Sequence, residues 1–146
     1  MNILIPVDGS PYSEAALAFM AARPFKDGHR PQIDLLNVQT PLPPRAGRAV
    51  GAEWARSWYE SESRKILKPA VLTLQEGDLD PAWHFRVGNP AVEIAEWADR
   101  HTVDLIVMGS HGRRGLEKLV LGSVAQSVLS HTRINTMVVR APEAAA

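Results

Sequence analysis

The sequence predicts an α/β fold: an open, mainly parallel five-stranded sheet flanked by helices, in one domain over residues 1–146. Three observations predict it. A chain of 146 residues suits one hydrophobic core. Its 45% hydrophobic and 22% charged residues are an ordinary globular composition. Above all, short apolar runs alternate with helix-patterned segments from one end of the chain to the other.

The first apolar run is Ile-Leu-Ile-Pro-Val at 3–7. It is too short for a helix and reads as a strand buried on both faces, with Pro6 at its end because proline has no N–H to give a ladder. Ser10 can cap a helix, Pro11 suits its first position and Glu14 its first turn, so a helix runs from there to about Arg23. Residues 32–38 form a second strand, completing a β-α-β unit with an expected right-handed crossover. Residues 40–52 are rich in Pro, Gly and Ala and read as a flexible loop. From Glu53 to Lys68 the pattern is helical, with Trp54, Trp58 and either Ile66 or Leu67 facing inward, and Pro69 marks a break or kink. The segment from Val71 to Pro81 is ambiguous.

Residues 82–87 alternate as a strand. Gly88-Asn89-Pro90 ends it and opens a helix to about His101, with Ala91, Val92, Ile94, Ala95, Trp97 and Ala98 on its broad face. Residues 103–108 are a fourth, strongly apolar strand that Gly109 ends. Apolar positions at 120, 124, 128 and 121, 125, 129 carry a helical period, residues 136–140 form the last strand, and 141–146 are a frayed tail. In such a sheet, ligands bind at the carboxyl ends of the strands where strand order reverses, so the segments ending at Asp8, Val38, Gly88 and Gly109 should converge there.

Bulk features narrow the function. The formal net charge is zero, which argues against coating nucleic acid or an anionic membrane. With no cysteine, a disulfide scaffold, a thiolate nucleophile and a Cys-ligated metal are all excluded. The N-terminus lacks the basic flank of a secretory signal, and no window approaches the ~20 apolar residues of a membrane span. A cytoplasmic protein is expected, with neither nucleic acid nor membrane as partner.

The chemistry concentrates after the fourth strand. Met108-Gly109-Ser110-His111-Gly112-Arg113-Arg114-Gly115 places three glycines within seven residues, and Gly122-Ser123-Val124 follows inside a helical pattern. Glycine lets a ligand approach the main chain, and successive free N–H groups form an anion-binding concavity. A glycine within a helix costs about 1 kcal/mol against alanine. That cost is understandable if the helix begins at Ser123 with its dipole aimed at phosphate. Arg113 and Arg114 add positive charge. The P-loop spacing is absent, and the Gly-x-Gly-x-x-Gly dinucleotide fingerprint is absent too.

Gly109, two residues, Gly112, nine residues, Gly122, Ser123 resembles the pattern of the ATP-binding branch of the universal stress protein family. The resemblance runs over nearly the whole chain, through Ile-Leu-Ile-Pro-Val-Asp-Gly-Ser, Val-Gly-Asn-Pro-Ala, Asp-Leu-Ile-Val-Met-Gly-Ser-His-Gly and the Val-Val-Arg end. It implies a Rossmann-like sandwich of the adenine nucleotide alpha hydrolase-like type, and it implies residue roles. Gly109, Gly112, Gly122 and Ser123 would hold phosphates and part of the ribose, helped by the Val124 main chain, with Arg113 close by. Asp8 would meet the ribose or a metal–phosphate group. Pro6, Val7, Val38 and Met108 would line an adenine slot. The implied cofactors are ATP, ADP or AMP, with Mg²⁺ or Mn²⁺ accompanying the nucleotide, and the implied assembly is a homodimer through the last strand, 136–140. Where many members carry a proline before that strand, this chain has Asn135-Thr136.

Plainer readings stand beside these. The glycines can make an ordinary strand-to-helix turn, and Asp8 can cap the first helix. His111 has no partnered acid or nucleophile that would make it a general base; it reads as a loop histidine contacting phosphate or solvent. Arg45 and Arg48 read as a solvated basic loop rather than a phosphate clamp. No catalytic residue is assigned. A nucleotide-dependent regulatory or stress-response switch with at most slow hydrolysis is the leading reading; a ligand-free interaction module of the same fold and a nucleotide-processing enzyme are the alternatives.

Overall fold

The computed structural model describes residues 1–26, 28–111 and 121–142. Their elements are β1 (Asn2–Pro6), α1 (Pro11–Ala21), β2 (Gln32–Gln39), α2 (Pro44–Val50), α3 (Ala52–Glu76), β3 (Ala82–Val87), α4 (Pro90–Arg100), β4 (Leu105–Gly109), α5 (Ser123–His131) and β5 (Asn135–Val139). The strands form one five-stranded sheet in the order β3-β2-β1-β4-β5, parallel throughout. The chain winds outward from β1 to β3 on one side and from β4 to β5 on the other. Order therefore reverses at the β1–β4 pair, where Ile3 lies beside Leu105 and Leu4 beside Ile106.

Strand side chains alternate between the two faces. Ile3, Ile5, Ile33, Leu35 and Val107 meet Leu17 and Met20 of α1 and Leu67, Ala70 and Leu74 of α3. Leu4, Leu36, Ile106 and Met108 meet Ile94, Trp97 and Ala98 of α4 and Ala125 and Val128 of α5. β1 is thus buried on both sides, and Pro6 is its last residue. Ser10 caps α1 by accepting from the Ser13 N–H, with Pro11 in the first turn. Asn89 caps α4 by accepting from the Ala91 and Val92 N–H groups.

Helix structure exceeds the sequence expectation at two places. Residues 40–52 contain α2, because Pro44 is tolerated where a helix's first N–H has no intrahelical partner and alanines follow it. Gly51, at φ 81°, separates α2 from α3. α3 passes through Pro69 without ending and absorbs the ambiguous stretch as far as Glu76. Its buried positions Ser63, Leu67, Ala70 and Leu74 make one continuous stripe, whose burial outweighs the ~3 kcal/mol cost of an internal proline. Pro69 itself is exposed, off the buried stripe.

Trp54 is a correction. It is 51% exposed rather than inward, because the inward stripe of α3 begins only at Ser63. Trp58 is half-buried and lies nearly parallel to Trp54 at 6.4 Å between ring centroids, and Leu67 takes the inward position. β4 and β5 are displaced by one or two residues from the expected 103–108 and 136–140. α5 begins at Ser123, and residue 120 of the expected 120–131 helix lies outside the described residues, as do residues 143–146 of the expected tail.

Candidate functional site

Four chain segments leave the carboxyl edge of the sheet around its switch point. Val7 continues β1 by donating its N–H to the Leu36 carbonyl, and Asp8 and Gly9 then turn the chain into α1, Gly9 at φ 77°. The Val7 carbonyl, past the end of the ladder, accepts from Asn37 Nδ2 at 2.7 Å. Asn37 is 1% exposed, and its Oδ1 accepts from Gln39 Nε2, so both of its polar ends are used. This tie fixes the exit of β1 against β2. Sequence reasoning passed over Asn37, although a lone amide inside Leu-Leu-Asn-Val is the signal that a buried polar contact is needed.

The segments enclose a cavity of about 100 Å³. That is several times the roughly 10–15 Å³ one water needs, so an organic group can enter. Of the residues expected at the site, Pro6, Val7, Asp8, Val38, Met108, Gly109 and Val124 all line it. Gly122 and Ser123 are not among the lining residues: the Gly122 N–H donates to the Ser110 carbonyl at 2.8 Å, and Ser123 is exposed. Gly112 and Arg113 lie outside the described residues. Leu36, Pro90, Ile94 and Ala125 complete an apolar floor, and Ser13 and His111 join Asp8 as its polar side chains. Helices supply most of these additions, and the facing of a helix depends on packing that no local motif reports.

The polar rim is internally organised. Asp8 Oδ1 accepts from the Ser10 N–H at 2.9 Å, an Asx turn that aims the carboxylate across the β1–α1 loop. The Ser13 hydroxyl donates to the Ser10 carbonyl at 3.1 Å. His111 Nδ1 lies 3.0 Å from Ser110 Oγ, and its ring stands 4.9 Å from that of Tyr12.

Two of the motif glycines have reasons within the protein. A Cβ on Gly109 would stand 2.5 Å from the Tyr12 carbonyl, where the first turn of α1 crosses the end of β4. A Cβ on Gly122 would stand 2.9 Å from His111 Cα and 3.0 Å from the Ser110 oxygen. Both collisions are with backbone, so a side chain at either position would force the loop to move.

The donor set bears on a metal. Among the described residues no group of three or more His, Asp or Glu side chains could hold an ion. Among the described residues, Asp8 is the one carboxylate on the cavity wall. Mg²⁺ commonly takes one or two carboxylates and completes its shell with substrate phosphates and water, and a single carboxylate such as Asp8 fits an ion carried in by a nucleotide. Among the described residues no helix is long and apolar enough to cross a membrane.

Comparison with known proteins agrees with this architecture. The model of the universal stress protein family matches residues 1–140. Universal stress protein MJ0531 of Methanocaldococcus jannaschii is 34% identical over 146 residues, covering 97% of this chain and 83% of the relative. The chain spans about half the length of other relatives, 53% of one from Synechocystis sp. and 46% of one from Mycolicibacterium smegmatis. Among solved structures, hypothetical protein MJ0577 superposes with a TM-score of 0.77 at 27% identity, over 98% of this chain and 97% of its own. A universal stress protein in complex with cAMP has a TM-score of 0.69 at 19% identity, covering 97% of this chain and 98% of its own. The Arabidopsis thaliana family protein At3g01520 with AMP bound has 0.68 at 18%, covering 98% and 93%. At those last two identities the likeness is one of fold. The match from residue 1 to 140, with the M. jannaschii relative aligned along nearly the whole chain, shows that this chain belongs to the universal stress protein family.

Proposed function

We propose that the crevice binds an adenine nucleotide, with ATP, ADP or AMP as candidates, and that occupancy acts as a regulatory signal in a cytoplasmic stress response, with hydrolysis slow at most. The carrying observation is an apolar-floored cavity at the switch point of the sheet, rimmed by Asp8 and by the first turn of α5. The floor of Leu36, Val38, Ile94 and Met108 suits a planar base, which needs apolar contact on its faces. Asp8 suits the ribose hydroxyls or a Mg²⁺ or Mn²⁺ ion carried by the phosphates. Gly109, Gly122, Ser123 and the Val124 main chain, with Gly112 and Arg113, make up the phosphate side of the reading, because a helix N-terminus favours an anion. Two fold neighbours that carry AMP and cAMP support the ligand class.

The test is to denature freshly purified protein, identify released nucleotide by chromatography and mass spectrometry, and titrate ATP with Mg²⁺ by calorimetry. Stoichiometric nucleotide or micromolar binding is expected. A protein that carries none and ignores ATP, ADP and AMP would overturn the reading. Asp8→Ala should weaken Mg²⁺–ATP more than metal-free ATP; equal losses would leave Asp8 as a turn residue.

One observation favours a second reading, an interaction module without ligand. Gly109 and Gly122 are each required by the chain's own packing, and the Gly122 N–H is already bonded. The same titration separates the two. A homodimer paired along β5 is compatible with either, since β5 is an outer strand of the sheet; sedimentation should then show twice the chain mass.

A further inference from the structure

α3 outruns the helix beside it. Gly77, its C-cap, abuts the Ala21 carbonyl at the end of α1, so the two helices finish together at the amino edge of the sheet. α3 has 25 residues against the 11 of α1, and the excess is about 20 Å of helix. Its first turns therefore stand beyond the carboxyl edge, and no residue from 44 to 62 is buried. This overhang is nevertheless held in shape. Tyr59 Oη accepts from the Leu42 N–H at 2.6 Å, and the Tyr59 ring meets Trp58 edge-on at 5.3 Å.

The outer side of α3 has its own pattern. Trp54, Trp58, Ser61, Lys65, Lys68 and Leu72 recur at intervals of four and three, which places them on one face. Ser63, where the buried stripe begins, follows Trp54 by about two and a half turns, so the two stripes lie on opposite sides. Trp54 and Leu72 are each about half uncovered, at 51% and 54%. A single exposed apolar residue is ordinary, but here apolar ends bracket two lysines along one helix face. No carboxylate stands at these six positions. Lys65 pairs with Glu62 beside the stripe, and Lys68 enters no ion pair among the described residues. α2, packed against α3, adds the exposed Arg45 and Arg48. Between residues 40 and 59, Arg45, Arg48 and Arg56 face Glu53 as the only acid, in a chain whose net charge is zero.

We propose that this outer face of α3 docks an acidic, amphipathic segment of a protein partner, with the Trp54–Trp58 stack as the apolar anchor and Lys65 and Lys68 as counter-charges. Tryptophan is a favoured anchor at interfaces, and a stack already in place costs little ordering on binding. Two other occupants fit less well. A helix lying on a membrane keeps its apolar face unbroken and its lysines on the other side, whereas here the lysines interrupt the apolar face. A second copy packed two-fold about the middle of the stripe would set lysine against lysine.

The test pans a random peptide library displayed on phage against the full chain, with a Trp54→Ala, Lys68→Glu double variant as counter-target. Selected peptides are synthesised and titrated by fluorescence polarisation with wild type, each single variant and Arg133→Glu, an exposed charge reversal on the loop before β5. Because Trp54 and Lys68 are exposed, the variants should fold, and circular dichroism checks that they do. Expected are peptides rich in Asp and Glu with an aromatic or leucine residue. Their affinity should fall about ten- to thirtyfold in Trp54→Ala and about tenfold in Lys68→Glu, weaken with salt, and be unchanged in Arg133→Glu. Peptides without acidic bias, or bound equally by the Trp54→Ala and Lys68→Glu variants, would overturn the proposal, as would a library yielding no binder that the double variant loses. Wild-type self-association abolished by Trp54→Ala in sedimentation would overturn it in favour of a second copy. Trp54-dependent binding to phosphatidylserine vesicles would overturn it in favour of a membrane surface.

Discussion

The two faces of the sheet are built from the same kinds of residue and do different work. On the α1–α3 face the core is sealed: of its buried cluster only Val7 reaches the crevice. On the α4–α5 face, Leu36, Ile94, Met108 and Ala125 belong both to the core and to the cavity wall. One face can therefore be altered at the expense of stability alone, whereas the other carries fold and recognition in the same side chains. The difference lies in which helices reach the crevice: α4 and α5 supply Pro90, Ile94, Val124 and Ala125 to its wall, whereas among the described residues α1 supplies only Ser13 and α3 none.

The largest expected effect lies on the sealed face. Leu74, with no exposed surface, should lose about 2–5 kcal/mol of stability on replacement by Ala, measured by urea unfolding. Ligand affinity of the folded fraction should not change; a parallel loss of affinity would break the comparison. Next comes Gly122→Val on the open side. Its Cβ meets backbone on two sides, so a cost of about 1–3 kcal/mol is expected together with loss of nucleotide binding. Binding lost with stability intact would mean that the glycine serves the ligand alone. The smallest and sharpest test is a pair, Ile33→Val and Ile94→Val, 3% and 2% exposed on opposite faces. Each should cost about 0.5–1.5 kcal/mol. Only Ile94→Val should also lower nucleotide affinity, by a few-fold on the scale of one lost methylene.

What the sequence made legible follows the same division. β1 and β4 were readable because strands buried on both faces are continuous apolar runs, and α1 and α4 because Ser10-Pro11 and Asn89-Pro90 are local capping signals. The strand-end half of the crevice came with them: Pro6, Val7, Asp8, Val38, Met108 and Gly109 are located once the strand ends are. Ser13, Ile94 and Ala125 were not legible, because which side of a helix meets a cavity is decided by the neighbours it packs on. Pro69 and Trp54 misled for a related reason. Local rules overrate a proline when a long stripe of burial lies beneath it, and they assign a tryptophan to the interior without knowing how far the core extends.

That stripe has one more consequence. Proline has no amide hydrogen, so Pro69 leaves the Lys65 carbonyl without the rung that would normally join them. α3 is continuous in shape but interrupted in its hydrogen-bond ladder, with residues 52–62 largely outside the core and 63–76 anchored in it. Native-state hydrogen exchange should see this single rod as two units, the amides before residue 63 opening by local fraying and those of the buried stripe only when the sealed face itself opens.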